Sequence, residues 1–76
     1  MIIEKMERVH IVYVLTPDRK NFRAFNIGHN EAVVSAQDAT WLSEEEAIAE
    51  MNRLKELNPQ NKYRVMEKTV IRRIYQ

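Results

Sequence analysis

Hydrophobic positions change their period twice along the chain, and each change marks an element. From about Met6 to Thr16 the period is two: Val9, Ile11, Tyr13 and Leu15 alternate with His10, Val12, Val14 and Thr16. Both sets carry apolar groups, and the β-branched or aromatic residues Val9, Ile11, Val12, Tyr13 and Val14 favour extended backbone. The pattern predicts a central strand covered in part on each face, with residues 1–5 as its frayed or ragged start. Pro17-Asp18-Arg19-Lys20-Asn21 supplies turn residues, and Asn21 to Gly28 reads as the returning strand of a hairpin. Gly28-His29-Asn30 is a second turn, with Gly28 the residue free to take positive φ. The next segment has two readings. Ala32-Val33-Val34-Ser35 suits a short third strand, which the paired valines favour, while Asn30 would suit a cap for a helical turn through Gln37.

Beyond Thr40 the period lengthens. Ala47, Ile48, Met51, Leu54 and Leu57 fall on one face at 100° per residue, with Glu45, Asn52, Arg53 and Glu56 opposite. Ser43 and Glu46 have the spacing of a capping box, Leu42 and Ala47 that of a hydrophobic staple, and Glu44, Glu45 and Glu46 complement the helix dipole. Pro59 disfavours helical geometry at Asn58 and ends the element, giving a helix over 44–57. After the turn Asn58-Pro59-Gln60-Asn61, period two returns from Lys62 to Tyr75. Tyr63, Val65, Ile71 and Tyr75 make the odd face the better core face, and the lapse at Glu67–Thr69 suggests a bulge. A helix between two strands is the usual parallel crossover, so this strand is open to running parallel to a neighbour. The expected fold is α+β: a three- to four-stranded sheet, β-β-(β)-α-β, with one helix on one face and one domain over 1–76. A single helix leaves the other sheet face open, carrying Val12 and Val14, with Phe22 or Phe25 as further members.

Composition narrows the function classes. With no cysteine, neither disulfides nor thiolate metal sites are available, so 45% hydrophobic residues must supply the core or share it with a partner. A net charge of +1 with 30% charged residues is neither a polybasic tail nor an acidic disordered segment. No run approaches a membrane span and no export signal opens the chain, which fits a cytoplasmic protein. His10 and His29 have no catalytic motif beside them, Ser43 is used as a cap, Asp18 and Asp38 fall in separate loops, and one glycine cannot build a phosphate loop. No enzyme, no metal and no cofactor is expected.

Two charge segments remain. Lys62, Arg64, Lys68 and Arg72 share one face of the last strand, and Arg73 adds to the segment, with Arg19, Lys20 and Arg23 of the first hairpin expected to extend it into a patch. Such a stripe with Tyr63, Tyr75, Phe22 and Phe25 nearby suits nucleic acid or another anionic partner; equally, edge-strand cations deter strand pairing. Glu45, Glu46 and Glu50 offer an acidic helix surface to a basic partner, or to the basic segment of another copy. The Trp41–Ala47 and Asn58-Pro59…Tyr63-Arg64-Val65 segments resemble a helix-to-strand unit of small bacterial and phage proteins, which implies an accessory protein and assigns no functional residue. The leading expectation is a binding module for a protein partner or a second copy, with nucleic-acid binding through Arg64, Lys68 and Arg72 as the alternative.

Overall fold

The strongest local signals sit between Leu42 and Asn58. In the computed structural model, which describes all 76 residues, helix α1 spans Glu44–Leu57. Ser43 Oγ accepts from the Glu46 N–H at 3.2 Å, and a Glu46 carboxylate oxygen accepts from the Ser43 N–H at 3.2 Å. The Ser43 hydroxyl, and after it the Ser43 N–H, hold the Glu46 carboxyl below its ordinary range. A depressed folded-state pKa gives stability that is present above the unfolded value and is lost as pH falls through the folded one. Thermal melts from neutral pH down to about pH 2 should therefore show the wild-type chain losing its margin over Glu46→Ala. Ser43→Ala should cost about 1 kcal/mol at pH 7 in the same assay.

Four strands make one sheet in the order β3-β2-β1-β4, every pair antiparallel. Strand β1 spans Ile2–Leu15, β2 Arg23–Asn26, β3 Glu31–Val33 and β4 Lys62–Tyr75. The α+β fold and the central place of β1 are as expected, and four details differ. β1 begins at Ile2 rather than near Met6, because β4 gives residues 2–5 a partner from Tyr75 to Arg72. β4 runs antiparallel to β1, since α1 starts beside His10, where Leu42 pairs, and brings Lys62 to Leu15 at the far end of β1, from which β4 runs back along it. The Glu67–Thr69 lapse is not a bulge: the register is continuous from Ile2↔Tyr75 to Leu15↔Lys62, and Glu67 is instead met by Arg8 and His10. Asn30, not Gly28, takes positive φ, at 51°, where the turn closes with its N–H on the Ile27 carbonyl. Both readings of the following segment hold in part, with strand Glu31–Val33 and then a 3₁₀ turn, Ala36–Asp38, capped by Ser35.

The expected open sheet face is not open, and the face assignment is reversed. α1 packs on the face carrying Val12, Val14, Phe25 and Tyr63, which join Ala47 and Leu54 in one buried cluster. The opposite face, with Val9, Ile11 and Ala24, is covered by the segment between β3 and α1 through Ala36, Ala39 and Trp41. That segment is tied down at several points. Trp41 Nε1 donates to the Ala36 carbonyl at 2.9 Å, Asn26 Nδ2 to the Asp38 carbonyl at 2.8 Å, and the Ile27 N–H to Thr40 Oγ1 at 2.8 Å. Leu42 then pairs with His10 by two backbone bonds of 2.9 Å along the edge of β1 beyond β2. The core thus has two thin layers, one on each side of a short sheet.

Candidate functional site

The α1 layer stops short of the far half of the β1–β4 pair, and the second layer reaches only its near end, where Val70 packs against the Val9, Ile11 and Ala24 cluster and Arg72 lies over Trp41. Residues Ile2–Arg8 and Thr69–Tyr75 form a two-stranded ribbon that leaves the body, and the chain measures 48 × 23 × 19 Å. Its radius of gyration is 13.9 Å, where a compact chain of this length has about 11 Å. A compact monomer of 9.1 kDa exposes about 4,900 Å², whereas this one exposes 5705 Å². The ribbon is where the added surface lies.

Its two faces follow from the register. One carries the rungs Ile2/Tyr75, Glu4/Arg73, Met6/Ile71 and Arg8/Thr69; the other carries Ile3/Ile74, Lys5/Arg72 and Glu7/Val70. Met6, Ile71 and Tyr75 are 72%, 63% and 71% exposed. Most of its charges are paired: Arg73 Nε lies 3.3 Å from Glu4, Arg72 Nε 2.6 Å from Glu7 and, just beyond the ribbon, Arg8 Nε 3.5 Å from Glu67, while Lys5 has no ion-pair partner. Exposed pairs of this kind contribute little individually, about 0–1 kcal/mol each. They nonetheless leave the apolar rungs Ile2/Tyr75 and Met6/Ile71 exposed.

Both long edges are also open. His10 gives its N–H and C=O to Leu42, so even-numbered residues of β1 aim their backbone groups away from β4. By the same alternation the odd residues of β4, Tyr63 through Tyr75, aim theirs at its outer edge, where the sheet has no further strand. Ile2, Glu4, Met6 and Arg8 do so on the β1 side, ahead of the place where Leu42 takes that edge.

The basic residues singled out from the sequence divide. Lys62, Arg64, Lys68 and Arg72 do share a face of β4, the one turned away from α1. Arg64 lies over the Phe22 ring at 4.0 Å, and Arg72 over the Trp41 ring at 5.1 Å. Both guanidiniums therefore lean across the sheet and cover aromatic faces that would otherwise be free to stack on bases. Arg23 stands opposite Val14, on the α1 side, and does not extend the stripe, while Lys20 lies in the β1–β2 turn. On the helix, Glu50 is bonded to Arg53 at 2.7 Å and Glu46 is engaged in the cap, so only Glu45 of the acidic surface has no such partner.

Little else in the chain is arranged for chemistry. His10 Nε2 lies 3.7 Å from Glu67, with Arg8 on the same carboxylate. No three His, Asp or Glu side chains cluster as metal ligands do. An open depression of about 320 Å³ lies at the end remote from the ribbon tip, lined by Leu15, Thr16, Pro17, Arg19, Gln60 and Lys62, with two cations and no carboxylate. No helix is long and apolar enough to cross a membrane. The sequence reading missed the ribbon, although the alternation Ile2, Glu4, Met6 against Ile71, Arg73, Tyr75 was a usable signal once the two ends were paired. No protein-family model matches the chain, and no curated protein or solved structure matches it either.

Proposed function

We propose that the chain is a non-enzymatic interaction module, which docks on a protein partner or a second copy of itself through the ribbon and the open edge of β4. The observation that carries this is a row of unpartnered apolar rungs, Ile2/Tyr75 and Met6/Ile71, on a ribbon whose two edges still have free backbone donors and acceptors. Apolar surface in that form favours burial against another molecule, and the open edge gives it a direction. The test is the double variant Met6→Lys, Ile71→Lys. Because both side chains are exposed, the double variant should melt within a few degrees of wild type and lose association in sedimentation velocity. A variant that unfolds, or that associates as wild type does, defeats the reading.

A second reading, contact with nucleic acid or another polyanion, is favoured by the four cations on one face of β4. Three or four phosphate contacts imply a roughly 40- to 150-fold loss of affinity between 50 and 200 mM salt. Oligonucleotide titrations at those two concentrations check it, and binding that ignores salt removes it.

A further inference from the structure

The β4 edge carries a register of its own. Only odd residues there have free backbone groups, so an incoming antiparallel strand must set its own outward residues against Tyr63, Val65, Glu67, Thr69, Ile71, Arg73 and Tyr75. If that strand is β4 of another copy, odd residues face odd residues. Five basic residues lie on β4, and only Arg73 has the same parity as Glu67, its one acid. A single register therefore satisfies Glu67, with Glu67 opposite Arg73 in both directions and Val70 opposite itself on the two-fold axis.

That register, fixed by charge alone, also matches the apolar residues. Tyr75 falls opposite Val65 of the second copy, Ile74 opposite Met66, and Ile71 opposite Thr69. Val65 and Met66 are themselves the neighbours of Val12 and Ile11, which are 1% and 0% exposed in the core. Each ribbon tip would thus prolong the partner's core rows: Ile2 and Tyr75 beside Val65 and Val12, Ile3 and Ile74 beside Met66 and Ile11. Between them runs a row of alternating sign, Glu4, Arg73, then Glu67 with Arg8 and His10. Two symmetry-related rungs are adverse, Lys68 opposite Arg72, but Arg72 already holds Glu7 at 2.6 Å and leans inward over Trp41, clear of the edge. The free edge of β1 is the weaker candidate, since Leu42 stops it at His10.

We propose that two copies pair antiparallel along β4, centred on Val70, to form one continuous eight-stranded sheet. This rests on the interaction-module reading and names its partner. About twelve backbone bonds would close the edge from Val65 to Tyr75. The chain has no cysteine, so Val70→Cys offers a clean probe. At a non-hydrogen-bonded pair, two such side chains lie within disulfide reach, and mild oxidation should yield a covalent dimer on a non-reducing gel. Met66→Cys, opposite Ile74 and far from its own copy, should stay monomeric. Glu67→Arg and Arg73→Glu should each weaken the dimer roughly tenfold in sedimentation equilibrium. Mixed one to one they should restore it, since each then meets its opposite charge, an outcome that misfolding would not give. Failure of Val70→Cys to link, or of the mixture to recover, overturns this pairing. A wild-type chain that stays monomeric up to about 1 mM overturns it too, whereas a chain that associates, loses association in the Met6→Lys, Ile71→Lys variant and yet does not link through Val70→Cys keeps the module reading and loses only this pairing.

Discussion

Leu54→Ala is expected to remove about 2–5 kcal/mol of stability and to lower the melting temperature by roughly 10–30 °C. Leu54 is 2% exposed and belongs, with Ala47, to the only part of α1 that is fully buried. It fills the space among Val12, Val14, Phe25 and Tyr63, and the backbone on either side is held by helix and strand, so the cavity has little means of collapsing. A chain of this length has about 4–11 kcal/mol in total, so this one truncation takes a large share of it. Thermal unfolding followed by circular dichroism gives the number. Ile48 and Leu57, at 41% and 64% exposure, are the internal controls on the same helix: alanine at either should cost far less. Equal losses at Leu54 and Leu57 would mean that α1 is rotated from the face described.

Trp41→Ala should cost about 3 kcal/mol, the low end for a tryptophan because the ring is only half-buried. Its mechanism differs from that of Leu54. Trp41 helps to cover Val9, Ile11 and Ala24 on the second face, so its removal wets an apolar surface as well as leaving a hole. Arg72 loses the ring beneath it, and the Ala36 carbonyl loses its indole donor. Trp41→Phe separates these effects: it keeps most of the ring and loses the hydrogen bond, at a cost of about 1 kcal/mol. Urea titrations measure both, and a rise in hydrophobic dye binding should accompany the alanine variant alone.

How much of this was legible depends on whether a signal is local. The boundaries of α1 were, because Ser43, Glu46 and Pro59 act on backbone within a turn of themselves. The central place of β1 was also legible, since Val9, Ile11, Val12 and Val14 put apolar groups on both faces. The cover of the second face was not. Trp41 reads in sequence as a residue ahead of a helix cap, and only the return of the chain past β2 shows what it lies on. The ribbon escaped for a related reason: hydrophobic periodicity reports burial, and residues 2–8 and 69–75 are paired without being buried. For the candidate site, the alignment of Lys62, Arg64, Lys68 and Arg72 followed from alternation alone. Their stacking on Phe22 and Trp41, and the separation of Arg23 from them, required a register that no single strand encodes.

The continuous β1–β4 pairing has a kinetic consequence. Leu15 meets Lys62 across most of the domain, and Ile2 meets Tyr75 across nearly all of it. Non-local contacts of this kind slow folding, because closure entropy must be met before any rung forms. Once α1 has delivered Lys62 to Leu15, each further rung adds only a short extension, so the ladder should close like a zipper toward Ile2 and Tyr75. During synthesis the central strand is made first and its longest neighbour last. For all the time that α1 is emerging, β1 carries an unsatisfied edge and the apolar residues of both core layers, and it is then that the chain is most open to aggregation.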